Sequence, residues 1–185
     1  MPTPFPRQAP ATRSRCFIAL GPDAPTRAWL AELGAGLPPA RLHPADLHLT
    51  VAFLGTLTAD HEAHLHAALT PMAHRLPDLA LTSLELWPHP ARPRVAVAGF
   101  ALPDPLRQLV GATRALLRDM ALPVEGRPFR PHVTLARFKP GQPAPALPAP
   151  AGPFPSARFD TLGLYCTAAP GTGVRYQALF RLDLH

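Results

Sequence analysis

His48-Leu49-Thr50-Val51 and His132-Val133-Thr134-Leu135 repeat one pattern, a histidine and a threonine two positions apart in an apolar run. In a β-strand, residues i and i+2 share a face. Each segment therefore predicts an imidazole and a hydroxyl side by side, with Leu49 or Val133 turned into a core. Histidine titrates near neutrality, with an unperturbed pKa of about 6.5, so two of them can hold one neutral and one protonated ring at once. In-line displacement at phosphorus asks for that pair when side chains alone move the protons: a base for the attacking water and an acid for the departing alkoxide. Each positioned acid or base typically contributes about 10²–10⁴ in rate. Thr50 and Thr134 would donate to non-bridging phosphate oxygens as charge builds on them. Arg137, just past the second segment, adds a charge-assisted contact. A single strand histidine beside a threonine is most often structural; the repetition favours chemistry.

Competing arrangements are weaker. His61-Glu62-Ala63-His64-Leu65-His66 resembles a zinc-binding helix, but that motif needs a second histidine four positions after the first, where Leu65 stands. His61 and His64 read as a solvated helix face. His43, His74, His89 and His185 have no companions at ligand spacing, and the chain has neither a Gly-rich phosphate loop nor a serine nucleophile elbow. Cys16 and Cys166 imply no disulfide framework and no zinc site. The reading implies no metal and no cofactor.

The elements that must position the two histidines can be read along the chain. With 185 residues, 47% hydrophobic and 16% charged, the sequence describes one globular domain, 15–185, behind a flexible tail, 1–14. The formal charge is +6, and among the basic residues only Lys139 is lysine. Arginine favours phosphate-bearing partners, although an Arg-, Ala- and Pro-rich composition also arises from genomic base content. The tail has no apolar signal core, and no run reaches the roughly 18 apolar residues of a membrane helix. A cytoplasmic monomer without membrane contact is expected.

Strands are predicted over Cys16–Leu20, over the His48 segment with Leu47, Leu49, Val51 and Phe53 as its core face and Gly55 as its end, over Leu79–Leu86, Arg94–Phe100, Pro131–Arg137, Phe159–Thr167 and Val174–Leu184. Helices are predicted from Pro25, from about Asp60 to Pro71, and from Asp104 as N-cap through the stripe Leu106, Leu109, Val110, Thr113, Leu117 and Met120. Residues 139–155 are Pro-rich and read as a surface connection. Strands and helices do not alternate strictly, which points to an α+β fold with mostly antiparallel sheet.

The segments Arg15–Leu20, Asp46–Gly55 and Arg127–Arg137 resemble three stretches of the two-histidine (2H) phosphoesterase superfamily, and closely its RNA 2′,3′-cyclic phosphodiesterases, the LigT/ThpR group also described as 2′-5′ RNA ligases. The resemblance covers about residues 15–184. It implies a bilobal fold of two pseudo-two-fold related lobes, mostly antiparallel sheet with outer helices, around a central cleft. It further implies metal-independent opening of a 2′,3′-cyclic phosphate at an RNA end, tRNA fragments included, to a 2′-phosphate, with reversible 2′-5′ ligation. Carried over by motif position, His48 and His132 are the catalytic pair, with His132 as base and His48 as acid for hydrolysis. Thr50, Thr134 and Arg137 are the phosphate ligands. By strict alternation Arg137 would face the core, so its role requires the strand to twist or end near Ala136. Arg130 and Phe138 are candidate RNA contacts, to backbone and base respectively. Two alternatives stand beside this reading: a non-catalytic nucleotide- or RNA-binding module of the same fold, and a phosphodiesterase for small cyclic nucleotides such as an ADP-ribose cyclic phosphate.

Overall fold

In the computed structural model, residues 12–37, 42–143, 145–148 and 155–185 are described. Apolar β-prone runs at Thr12–Pro22 (β1), Leu49–Thr58 (β2), Leu81–Trp87 (β3), Val95–Phe100 (β4), His132–Arg137 (β5), Phe159–Thr167 (β6) and Tyr176–Asp183 (β7) join one sheet. Its order is β3-β4-β5-β2-β1-β6-β7, and every neighbouring pair is antiparallel. Helices Ala24–Ala35 (α1), Ala59–Leu69 (α2) and Asp104–Asp119 (α3) complete the α+β fold.

The sheet divides into two lobes at β2 and β5. These strands meet at the single residue pair Leu49↔Val133, while β1–β2 and β4–β5 pair over most of their length. Each lobe contributes one His-x-Thr strand to this seam, which is the symmetry the repeated motif implies. The core holds the lobes together. Leu49, Val133, Leu135, Leu106, Leu117, Leu30 and Leu65 belong to one continuous buried cluster. Burying a leucine is worth roughly 1.5–3 kcal/mol. Helix α1 follows β1 but packs near β5, and α3 precedes β5 but packs near β2. The helices thus cross the seam that the backbone ladder hardly bridges.

Local chemistry accounts for the helix ends. The Asp23 carboxylate accepts from the Thr26 N–H, and Pro25 sits in the first turn of α1. Thr58 caps α2 reciprocally with His61, whose ring takes the part usually played by Glu. Helix α3 starts one residue before the expected point: Pro103 is its N-cap position and Asp104 lies in the first turn, paired with Arg107 at 3.6 Å. Its stripe Leu106, Leu109, Val110, Thr113 and Leu117 is buried as expected.

Strand boundaries also differ from the sequence reading. β1 begins at Thr12, inside the stretch read as tail; residues 1–11 lie outside the described residues. β2 continues past Gly55 to Thr58, because Gly55 adopts φ 74° and lets the ladder to β1 resume at Leu57↔Arg13. Leu79 forms an isolated bridge with Ala157, and β3 proper begins at Leu81. Within 139–155 the described residues carry no helix or strand, while 144 and 149–154 lie outside them.

Candidate active site

The seam pair Leu49↔Val133 sets the geometry of the site, since each of its residues is the centre of a His-x-Thr triplet. Leu49 and Val133 are fully buried. Alternation then turns His48 and Thr50, and His132 and Thr134, to the opposite face, where all four line one cleft of about 570 Å³. The structure therefore brings the four residues together as the sequence predicts.

Both imidazoles are held in the same way. His48 Nδ1 lies 2.6 Å from the Asp46 carbonyl, and His132 Nδ1 lies 2.7 Å from the Arg130 carbonyl. A carbonyl oxygen only accepts, so Nδ1 carries the proton in both rings. Nε2 is left as the working nitrogen: a lone pair when the ring is neutral, an N–H when it is protonated.

Each strand then breaks its alternation one residue past the threonine. In β2, Thr50 pairs with Ala19 and Ala52 with Ile18, which leaves Val51 as an extra residue. In β5, Thr134 pairs with Val97 and Ala136 with Ala96, which leaves Leu135 extra. Both are β-bulges, and a bulge reverses the parity of every later residue in its strand. Val51 and Ala52 are consecutively buried, as are Leu135 and Ala136. The Leu135 carbonyl accepts from the Leu42 N–H.

Three sequence expectations turn on these bulges. Arg137 is brought round to line the cleft with Thr134. Phe53, expected in the core, is expelled from it and stands 54% exposed on the cleft wall. Phe138, expected as a base contact, is instead buried in the core beyond Arg137, its N–H bonded to the Arg94 carbonyl.

The two rings sit in different surroundings. His48 stacks on Phe17 at 4.7 Å between ring centroids, and Tyr165 and Tyr176 close round it. Asp46, 3% exposed, holds this corner: its carboxylate accepts the N–H groups of Arg175 and Tyr176, while its carbonyl holds His48. Tyr176 in turn accepts from Arg137 at 3.5 Å. Burial, opposed by the carbonyl bond, pulls the His48 pKa down to about 4. Phe17, Tyr165, Tyr176 and Asp46 were not singled out from sequence. Only the position of Asp46, two residues before the histidine and matching Arg130 before His132, offered a signal.

His132 lies against Trp87 at 4.6 Å. Arg130, the candidate RNA contact, is exposed, its guanidinium 4.3 Å from the Trp87 ring and 3.0 Å from Glu85. Glu85 also accepts from the Trp87 indole and from Ser83, and these bonds hold its pKa below the usual carboxylate value. Burial again lowers the His132 pKa. Within the cleft, Arg137 has a buried Nε with no partner and a further N–H only weakly engaged by Tyr176. A buried unpaired guanidinium nitrogen beside two threonine hydroxyls suits an anion that supplies the missing acceptors.

Away from the cleft, His61 is engaged at the α2 cap and His64 is exposed. No group of three metal-ligating side chains occurs among the described residues. Cys16 and Cys166 are free, buried thiols, and burial raises the Cys16 pKa to about 11. No helix among the described residues is long and apolar enough to cross a membrane.

Comparison with known proteins bears on this geometry. The profile of the LigT like phosphoesterase family matches residues 20–97 and 101–176, both motif strands included. An Aeropyrum pernix protein named RNA 2′,3′-cyclic phosphodiesterase is 31% identical over 115 residues, 60% of this chain and 64% of that protein. The match thus spans less than two thirds of that relative's length. A crystal structure of a Thermus thermophilus protein superposes with a TM-score of 0.75 at 26% identity, covering 92% of this chain and 97% of that one. The crystal structure of Escherichia coli LigT complexed with phosphate superposes at 0.71, also at 26% identity, covering 94% and 99%.

Proposed function

The chain belongs to the LigT like phosphoesterase family, and on that premise we propose that it hydrolyses the 2′,3′-cyclic phosphate at an RNA end to a 2′-phosphate by proton transfer between two histidines. One observation carries the reading: two imidazoles, each tied through Nδ1 to the carbonyl two residues back, open their Nε2 atoms to one cleft beside Thr50, Thr134 and Arg137. The curated relative's name supports the substrate, and the phosphate complex of LigT supports an anion in this cleft.

In the reaction, neutral His132 takes a proton from water, whose oxygen attacks phosphorus. The P–O3′ bond breaks, and His48 delivers its proton to O3′. The P–O2′ bond stays, so the product is a 2′-phosphate beside a 3′-hydroxyl. Thr50, Thr134 and Arg137 bind the non-bridging oxygens as negative charge gathers there. Ligation follows the same course with a 5′-hydroxyl from a second RNA strand in place of water. His132 takes its proton, P–O3′ breaks with His48 protonating O3′, and P–O2′ stays, which leaves a 2′-5′ phosphodiester. The histidine roles exchange only in the reverse reaction, where the 3′-hydroxyl attacks and O5′ leaves.

Burial lowers both proton affinities, so His48, with a pKa of about 4, is neutral in the open cleft at neutral pH. Its acid role therefore depends on the substrate. The phosphate anion, brought into a cleft of low polarisability, favours imidazolium and raises the pKa when it binds.

The test is product analysis. An oligonucleotide ending in 2′,3′-cyclic phosphate is incubated with the protein in EDTA, and the phosphate isomer is identified. A 2′-phosphate formed at an unchanged rate in EDTA is expected. A 3′-phosphate would overturn the leaving-group assignment, and loss of activity in EDTA would overturn the two-histidine mechanism.

A further inference from the structure

Next to the catalytic cleft, on the His132 side of the seam, lies a second cavity of about 490 Å³ that shares Thr50, Phe53 and His132 with it. Its wall is built from Phe53, Trp87, Arg114, Arg127, Phe129 and Arg130. None of these side chains takes part in the reaction at phosphorus as assigned above. We propose that this cavity binds the nucleotide preceding the cyclic-phosphate end of a single-stranded RNA, so that the enzyme favours oligonucleotides over cyclic mononucleotides. The proposal rests on the reaction assigned above.

Three observations carry it. Phe53 is the one exposed large apolar side chain among the described residues, and the Val51 bulge is what expels it from the core. Of the aromatic rings among the described residues only Phe17 lies against it, at 6.3 Å between centroids, so most of the Phe53 ring stands free between the two cavities and offers a face on which a base can stack. Second, the cavity carries unspent positive charge. Arg130 is paired with Glu85, whereas Arg114 and Arg127 have no ion-pair partner among the described residues. Arg114 is steadied by donating to the Arg127 carbonyl at 2.9 Å. Glu125 stands on the same wall and opposes them, and the two arginines outnumber it. Third, the shared residues make the cavity continuous with the phosphate site. A chain leaving the terminal ribose enters it directly, its phosphate meeting guanidinium and its base meeting a ring.

The experiment compares a nucleoside 2′,3′-cyclic phosphate with a five-nucleotide RNA carrying the same terminus, across a range of salt. For the wild type, kcat/KM should be at least tenfold higher on the pentamer. Arg127→Ala should lower it about tenfold on the pentamer only, and flatten its log–log salt dependence by about 0.7 for one lost phosphate contact. Arg114→Gln should act in the same direction, and unchanged turnover of the mononucleotide certifies the fold of each variant. Equal kcat/KM for the two lengths, or equal losses on both substrates, would overturn the proposal. If neither substrate is turned over, the assigned reaction fails. Anisotropy with a labelled pentamer ending in 2′-phosphate then still decides the cavity, since Arg127→Ala must weaken binding about tenfold if the site is correct.

Discussion

Leu49–Phe53 and Val133–Arg137 follow the same backbone course, yet the two sides of the cleft they build are chemically unlike. Each strand donates its histidine Nδ1–H to the carbonyl two residues back, meets the other strand at its central residue, and bulges one residue beyond its threonine. The side chains delivered to the cleft beyond the bulges differ: Phe53 on one side, Arg137 on the other. The packing differs too. His48 is enclosed by aromatic rings over a buried carboxylate, and His132 lies on a tryptophan edged by an exposed ion pair. Backbone symmetry thus fixes two identical presentations of imidazole. The side chains around them make one half dry and rigid and the other open and charged, and that is how one fold can separate the proton affinities of twin groups.

The largest expected effects test the symmetric part. His48→Ala and His132→Ala should each lower kcat by about 10²–10⁴ on a cyclic mononucleotide. A loss of under tenfold at either position would remove that ring from the proton relay. Their stabilities should part company. His48→Ala empties a packed aromatic corner and should lower the Tm clearly, while His132→Ala should lower it little. Next, Arg137→Ala should reduce kcat/KM on the mononucleotide by about 10², because a charge-assisted contact to an anion is worth about 1.5–3 kcal/mol. Phe53→Ala, at the equivalent position, should leave the mononucleotide unaffected and weaken the pentamer about tenfold.

The pH dependence sharpens the asymmetry. Burial disfavours both imidazoliums, so the free enzyme holds one proton between its two lowered pKa values, and kcat/KM should peak below pH about 6.5 and fall above it. Binding of the anionic substrate raises both pKa values, so the kcat profile should lie at higher pH. Phe17→Ala admits water to His48 and should move the lower limb of kcat/KM upward alone; a shift of both limbs would show that the rings share one environment. Stability follows the same sign. The unfolded chain binds a proton near pH 6.5 that folded His48 refuses until about 4, so stability should fall by up to about 3 kcal/mol as pH drops through that window. His48→Gln should remove most of that dependence.

Asp46→Asn probes the rigid side one step further out. The amide keeps one acceptor but turns an NH₂ toward the Arg175 and Tyr176 N–H groups, loosening the start of β7 and the tyrosine against His48. A stability loss of about 1–3 kcal/mol is expected. It should come with a lower His48 pKa, because the carboxylate's charge favours imidazolium. A purely structural role would leave the pH profile unmoved.

Much of this was legible in sequence because it depends on local periodicity. All seven strands, the three long helices and the four His and Thr side chains follow from spacing, and the flanks of the motifs carry the family resemblance. Phe53 and Phe138 were misplaced for one reason. Alternation counts every residue, and a bulge adds one that only cross-strand pairing to Ala19 or Val97 reveals. The same pairing rescues Arg137, whose parity alone argued for the core. Asp46 and Tyr176 escaped notice because their bond joins residues far apart in the chain, a contact no local pattern encodes.

The smallest expected effect lies on the open side, at Arg130. Its side chain is exposed and paired with Glu85, and exposed pairs are worth about 0.2–1 kcal/mol. The contact that holds His132 uses the Arg130 carbonyl, which Arg130→Ala keeps. The variant should therefore keep kcat on the mononucleotide within about threefold, as a loss of at most about 0.7 kcal/mol implies, and its Tm should barely move. The counterpart position on the other side, Asp46, should be far less tolerant, since there the side chain itself carries the connection. If Arg130→Ala instead lowered mononucleotide turnover as much as Asp46→Asn does, the guanidinium over Trp87 would be fixing His132 through the ring. The two halves would then be equally rigid, and their different proton affinities would have to come from burial alone.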